Sequence, residues 1–216
     1  MVAEAGCSAA GACASGVHLR REWRLLLNRG RNLDDVAVDS RGLARVGILV
    51  ISDRASRGDY QDESGKAINN FLNRTVRSNW IAVMKIVPDG IDSVANALVE
   101  MSDSEDCDLV LTTGGTGPSP RDLTPEGTRM VITRELEGFG EMMRRVSLEQ
   151  VPTAILSRQT AGTRGRCLIV NLPGRPSAID VCLNAVFPAI PYCLDLIGAR
   201  PIEVNPDVCH AFRPGA

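Results

Sequence analysis

Four short, uninterrupted apolar runs constrain this chain more than any other feature: RVGILVIS at residues 45–52, IAVMKIV at 81–87, DLVLT at 108–112 and RCLIVN at 166–171. A strand with one wet face alternates apolar and polar residues. A strand that is apolar on both faces is covered on both, as happens in parallel sheets lying between two layers of helices. The segments between the runs carry helical spacing. Ala67, Ile68, Phe71 and Leu72 fall on one face of residues 64–77, and Val94, Ala97, Leu98 and Met101 on one face of 91–101. Residues 138–150 and the long stretch 176–196, interrupted by Pro188 and Pro191, complete the helical set. Strands alternating with helices predict a three-layer α/β/α sandwich around a mostly parallel central sheet.

A length of 216 residues suits one such domain with an appendage. The texture changes near residue 44, so residues 44–216 are read as the domain and 1–43 as an N-terminal extension. Its first sixteen residues, rich in Ala, Gly, Cys and Ser, predict disorder. In residues 18–32, Leu19, Trp23, Leu26 and Leu27 predict a short amphipathic helix. A formal net charge of −2 supplies no basic field for nucleic acid, so an anionic ligand needs a local site. No run reads as the roughly 18 apolar residues of a membrane span. Seven cysteines, an odd number with no CxxC pair, point away from zinc or redox motifs and toward a reducing, cytoplasmic setting. The histidines, His18 and His210, are too scattered for a histidine-based triad.

In parallel α/β sheets ligands sit beyond the C-terminal strand ends. Ser52, Asp53 and Arg54 follow the first run; Asp89, in VPDG, follows the second. The third leads into TTGGTGPSPRD at 112–122, where Thr113, Gly114, Gly115, Thr116 and Gly117 can form a nest of backbone N–H donors for phosphate oxygens. No GK[ST] follows, so this is not a P-loop. The fourth leads into Asn171, Leu172, Pro173 and Gly174 of NLPGRP, with Asn171 a candidate polar reader. Ser157, with Arg158 and Gln159, forms a further polar cluster. Asp122 stands just before a helix that Thr124 is expected to cap, with Pro125 at its first position. Asp122 can favour a helix N-terminus or, with Asp89 on a neighbouring strand end, hold a divalent cation against phosphates. Taken alone, Asp89 reads better as the turn residue of a Pro-Asp-Gly reverse turn.

In order along the chain stand ISDRAS (51–56), YQD (60–62), PDG (88–90), LVLTTGGTGPSPRDLTPEGT (109–128), GFGEMMR (138–144), PTAILSRQ (152–159), NLPGRP (171–176), PYCLDLI (191–197) and HAFRP (210–214). Together they resemble the MogA-type molybdopterin adenylyltransferases and the related gephyrin-type domains, over residues 45–214. The resemblance implies transfer of AMP from Mg²⁺-bound ATP to molybdopterin with release of pyrophosphate. It makes Asp89 and Asp122 the catalytic, metal-holding pair. It assigns phosphate, nucleotide and molybdopterin binding to Ser52, Asp53, Arg54, Thr113, Gly114, Gly115, Thr116, Gly117, Ser157, Asn171, Leu172, Pro173 and Gly174. It further implies a homotrimer and transient contact with a molybdenum-insertion protein. A molybdopterin-binding scaffold without activity, or an early-pathway paralogue, is the competing expectation.

Overall fold

The computed structural model describes residues 25–27, 31–32, 42–59 and 62–215. The four apolar runs become four parallel strands: β3 (Ala44–Ile51), β4 (Trp80–Val87), β5 (Leu109–Thr113) and β8 (Cys167–Leu172). They lie in the order β4-β3-β5-β8. The register aligns Ile51 with Val87, Val50 with Thr113 and Thr113 with Leu172, so all four C-terminal ends open on one edge. β3 thus sits between β4 and β5. The chain runs from β3 outward to β4, then crosses back over β3 to β5. That reversal opens a crevice at the ends of β3 and β5.

The helices cover both faces. α2 (Ser64–Thr75), α5 (Glu137–Leu148), α6 (Pro176–Val186) and α7 (Ile190–Leu196) bury Ile68, Phe71, Leu72, Met143, Ile179, Leu183, Ile190 and Leu194 against one face. There Phe71 and Phe187 meet edge to face, their ring centroids 5.3 Å apart. α3 (Ile91–Val99) covers the other with Val94, Ala97 and Leu98, packed with Leu49, Val83, Val110 and Ile169. The stretch 176–196 is broken by a 3-10 turn at Phe187–Ala189, where Pro188 lacks the N–H that a continuous helix needs. Contrary to the sequence expectation, Pro176–Leu196 is long and apolar enough to cross a membrane by length and composition. Its inward residues belong to the core just described.

Four strands lie outside the sequence expectation. β7 (Ala161–Arg164) pairs antiparallel with β8 through a two-residue connection, and β6 (Arg134–Glu135) pairs antiparallel with β7. β7 reads AGTR and β6 has only two residues, so neither carries an apolar signature. At the opposite edge β1 (Leu25–Leu27) and β2 (Arg31–Asn32) extend the sheet, β1 antiparallel to β4. These five residues are extended where helical spacing predicted a helix. The open edge of β4 offers unpaired backbone groups, and pairing with them overrides a local helical preference. The rest of that expected helix, including Leu19 and Trp23, lies outside the described residues, as do the expected disordered stretch and Tyr60 and Gln61.

Candidate active site

The loop after β5 is threaded between the ends of two other strands. Gly114 has φ +101°, and a Cβ there would stand 2.2 Å from the Ile51 carbonyl oxygen at the end of β3. Only glycine combines that torsion with that approach. Gly115 has φ +63°, and a Cβ would meet the Thr124 hydroxyl at 2.4 Å. From the β8 side, Gly174 approaches so closely that a Cβ would lie 3.2 Å from the Gly114 Cα. Thr113 Oγ1 donates to the Pro173 carbonyl at 2.8 Å, locking the two loops together.

Thr124 does not cap its helix. α4 (Thr124–Arg129) has Leu123 in the cap position, with no side-chain capping bond, and Pro125 stands one residue inside Thr124. The Thr124 hydroxyl instead donates to the Gly114 carbonyl at 2.8 Å, and its N–H donates to the Gly115 carbonyl at 3.1 Å. A wholly buried threonine between loop and helix gains more from closing the glycine turn than from a cap.

Asp89 and Asp122 do not stand on adjacent strands, as the sequence suggested. They follow β4 and β5, which flank β3. The residue directly joined to Asp89 is Asp53, the first residue of α1 (Asp53–Arg57). The Asp53 N–H donates to Asp89 Oδ2 at 3.2 Å, and the Asp89 N–H donates to Asp53 Oδ1 at 3.2 Å. The exchange is a reciprocal clamp that ties the loop after β4 to the start of α1. The Ser52 hydroxyl caps α1 by accepting from the Ala55 N–H at 3.3 Å, and Arg54 is exposed. Across the crevice, Asp122 closes a turn: its Oδ2 accepts the Ser119 N–H at 3.1 Å, and its own N–H donates to the Ser119 carbonyl at 2.9 Å. A Cβ on Gly117 would lie 2.8 Å from Asp122 Oδ2, so the carboxylate lies against the glycine turn.

Not every residue expected to bind ligand faces the crevice. Thr113, Asn171 and Leu172 have no exposed surface. The Asn171 amide donates to Thr112 Oγ1 at 3.1 Å and to Thr128 Oγ1 at 3.0 Å, tying β8 to β5 and α4. Asn171 thus braces β8 through its amide nitrogen, while its Oδ1 is buried with no partner among the described residues. Gly114, Gly115, Gly117 and Pro173 are partly exposed, Gly174 is exposed, and Thr116 is buried. Ser157 Oγ is buried with no hydrogen-bond partner among the described residues.

The strongest unanticipated feature is Arg158. Its backbone N–H donates to the Thr116 carbonyl at 2.8 Å and its Nε to the Gly117 carbonyl at 2.9 Å. Its terminal nitrogens donate to the Asp122 carbonyl and to the Glu126 carboxylate in α4. Burial pushes the Glu126 carboxyl up, but the Arg158 hydrogen bonds, a local backbone N–H and the charges of Arg158 and Arg129 outweigh it. The net result lies below the usual glutamate range. The SRQ triplet hinted that this segment was polar, but no local pattern indicated partners more than thirty residues away.

Among the described residues the cysteine thiols are held protonated. Burial pushes the Cys107 thiol up to about 12, and raises Cys167, Cys182, Cys193 and Cys209 as well, so none is a ready thiolate. Among the described residues no three His, Cys, Asp or Glu side chains cluster as a metal cage. The side chains near the glycine turn that could hold a divalent cation are the carboxylates of Asp89 and Asp122, one on the loop after β4 and one on the loop after β5.

Residues 47–192 match the family model described as "Probable molybdopterin binding domain". The chain is 53% identical over 169 residues to a protein of Helicobacter pylori (strain ATCC 700392 / 26695) named molybdopterin adenylyltransferase, covering 78% of this chain and 96% of that one. It is 42% identical over 182 residues to the Escherichia coli (strain K12) protein of the same name, covering 79% and 93%. The fold is similar to that of the molybdopterin biosynthesis enzyme MoaB from Thermus thermophilus, with TM-score 0.68 and 43% identity over 74% of this chain and 100% of that one. With a family model matching residues 47–192 and relatives 53% and 42% identical over nearly their whole length, the chain belongs to the molybdopterin-binding domain family of molybdenum cofactor biosynthesis.

Proposed function

We propose that this chain is a molybdopterin adenylyltransferase. The observation that carries the reading is the nest of residues 114–117, threaded between the ends of β3 and β8 and flanked by the Asp53–Asp89 clamp and by Asp122. Relatives that match nearly end to end bear the same name.

In the proposed reaction a phosphate oxygen of molybdopterin attacks the α-phosphorus of ATP. The bond from that phosphorus to the bridging oxygen breaks, and pyrophosphate leaves. The step needs in-line alignment and charge neutralisation rather than a covalent protein intermediate, which agrees with the suppressed thiols. Backbone N–H groups of residues 114–117 would receive phosphate oxygens, and the crevice between β3 and β5 would align the two substrates. Asp89 and Asp122 would hold the magnesium ion, which supplies positive charge against the transferring group. The decisive experiment incubates the protein with molybdopterin, ATP and Mg²⁺. Pyrophosphate and adenylylated molybdopterin are expected in equal amounts. Binding of molybdopterin without pyrophosphate release would instead identify a scaffold.

The homotrimer belongs to the same proposal. Met142 and Leu148 on α5, with Val151, Ile155 and Leu156 beside it, are apolar and 40–68% exposed. Such a run of exposed apolar side chains suits a subunit interface. Light scattering behind gel filtration should give the mass of three chains; a single-chain mass would overturn the trimer. Cytoplasmic placement and handover to a molybdenum-insertion protein complete the proposal.

A further inference from the structure

An arginine beside a phosphate nest is usually read as a clamp for the anion. Arg158 is committed elsewhere. Its fork joins the carbonyls of Gly117 and Asp122, the two ends of one turn, and braces itself on Glu126. Between those ends the turn has only the Ser119–Asp122 bonds to hold it. We infer that Arg158 is a positioning residue of the proposed adenylyl-transfer site, fixing residues 117–122 and through them the Asp122 carboxylate. The inference rests on the adenylyltransferase reading for its reaction, but not for its geometry.

Three physical points support it. A planar guanidinium can bond two carbonyls and a carboxylate at once, whereas an ammonium acts as a point charge. Glu126 would otherwise place an uncompensated negative charge near the phosphates, and Arg158 neutralises it. The Arg158 backbone also bonds the Thr116 carbonyl, so one residue reaches both the nest and the turn.

The test compares wild type with Arg158→Lys and Glu126→Gln by amide hydrogen exchange and by turnover with molybdopterin and Mg²⁺-ATP. In Arg158→Lys the amides of Ser119 and Asp122, which bond across the turn, should exchange at least about tenfold faster, while those of β3 and β5 keep their wild-type rates. The same variant should lose about 10- to 100-fold in kcat, with a smaller change in KM for ATP, as expected for a misplaced group. Glu126→Gln, which retains an acceptor but no charge, should show the same pattern more weakly. Wild-type exchange in the turn, acceleration spread through the whole sheet, or unchanged kcat would each overturn the positioning role. If wild type itself releases no pyrophosphate, the adenylyltransferase reading fails, and the exchange pattern still decides whether Arg158 sets the turn.

Discussion

Asp122→Ala should leave the chain folded and reduce adenylyl transfer by at least about 100-fold. The side chain contributes one hydrogen bond to its own turn, from the Ser119 N–H. Losing a bond of this kind costs about 1 kcal/mol, a small part of a domain's stability. The turn also keeps the Asp122 backbone bond to Ser119 and the grip of Arg158 on the Asp122 carbonyl. What disappears is a carboxylate beside the glycine turn, which in the proposed mechanism holds positive charge against the transferring phosphoryl group. Because that interaction matters most in the transition state, kcat should fall more than binding does. Pyrophosphate release, measured beside a thermal melt, checks both halves of the expectation. Near-normal turnover would remove Asp122 from the mechanism. Asp89→Ala should act in the same direction; it likewise removes one side-chain hydrogen bond, that from the Asp53 N–H, so its melting point should drop by a similar amount.

Gly114→Ala should be the most damaging small substitution in the loop. At φ +101° an alanine is strained, at a cost of about 1–3 kcal/mol. The added carbon would also stand 2.2 Å from the Ile51 carbonyl oxygen, which belongs to the central strand and has little freedom to move. Relief requires the loop to withdraw from β3. That withdrawal opens the Thr124 bond to the Gly114 carbonyl and pulls on the Thr113–Pro173 link. Together these effects predict a loss of about 3 kcal/mol, a drop of roughly 6–12 °C in Tm for a chain of this size, and loss of turnover. Gly198→Ala is the control: it has φ +71° but nothing within 4 Å of the added carbon. It should cost only about 1 kcal/mol and leave turnover intact. If the two variants melt together, torsion rather than close approach dominates at Gly114.

The sequence alone determined the four parallel strands, the two helical layers, the glycine nest and the family, because each is written in neighbouring residues. A short run that is apolar on both faces, set between helical segments, reads as a covered strand, and GGTG after such a run reads as a tight turn at its end. The short antiparallel strands β6 and β7 were not legible, since AGTR and RE carry no apolar period and owe their conformation to the edge of β8. Strand order was equally hidden. Only the crossover that puts β3 between β4 and β5 makes Asp53, not Asp122, the hydrogen-bonded partner of Asp89. The same holds for Asn171, whose side chain the tertiary structure turns inward to brace Thr112 and Thr128, and for Arg158, whose side-chain partners lie 32–41 residues away. Local pattern records what a segment must bury or where it must turn. Which side chains then meet is decided by the packing of segments distant in the chain, and the alignment of the site's carboxylates is a consequence of that packing.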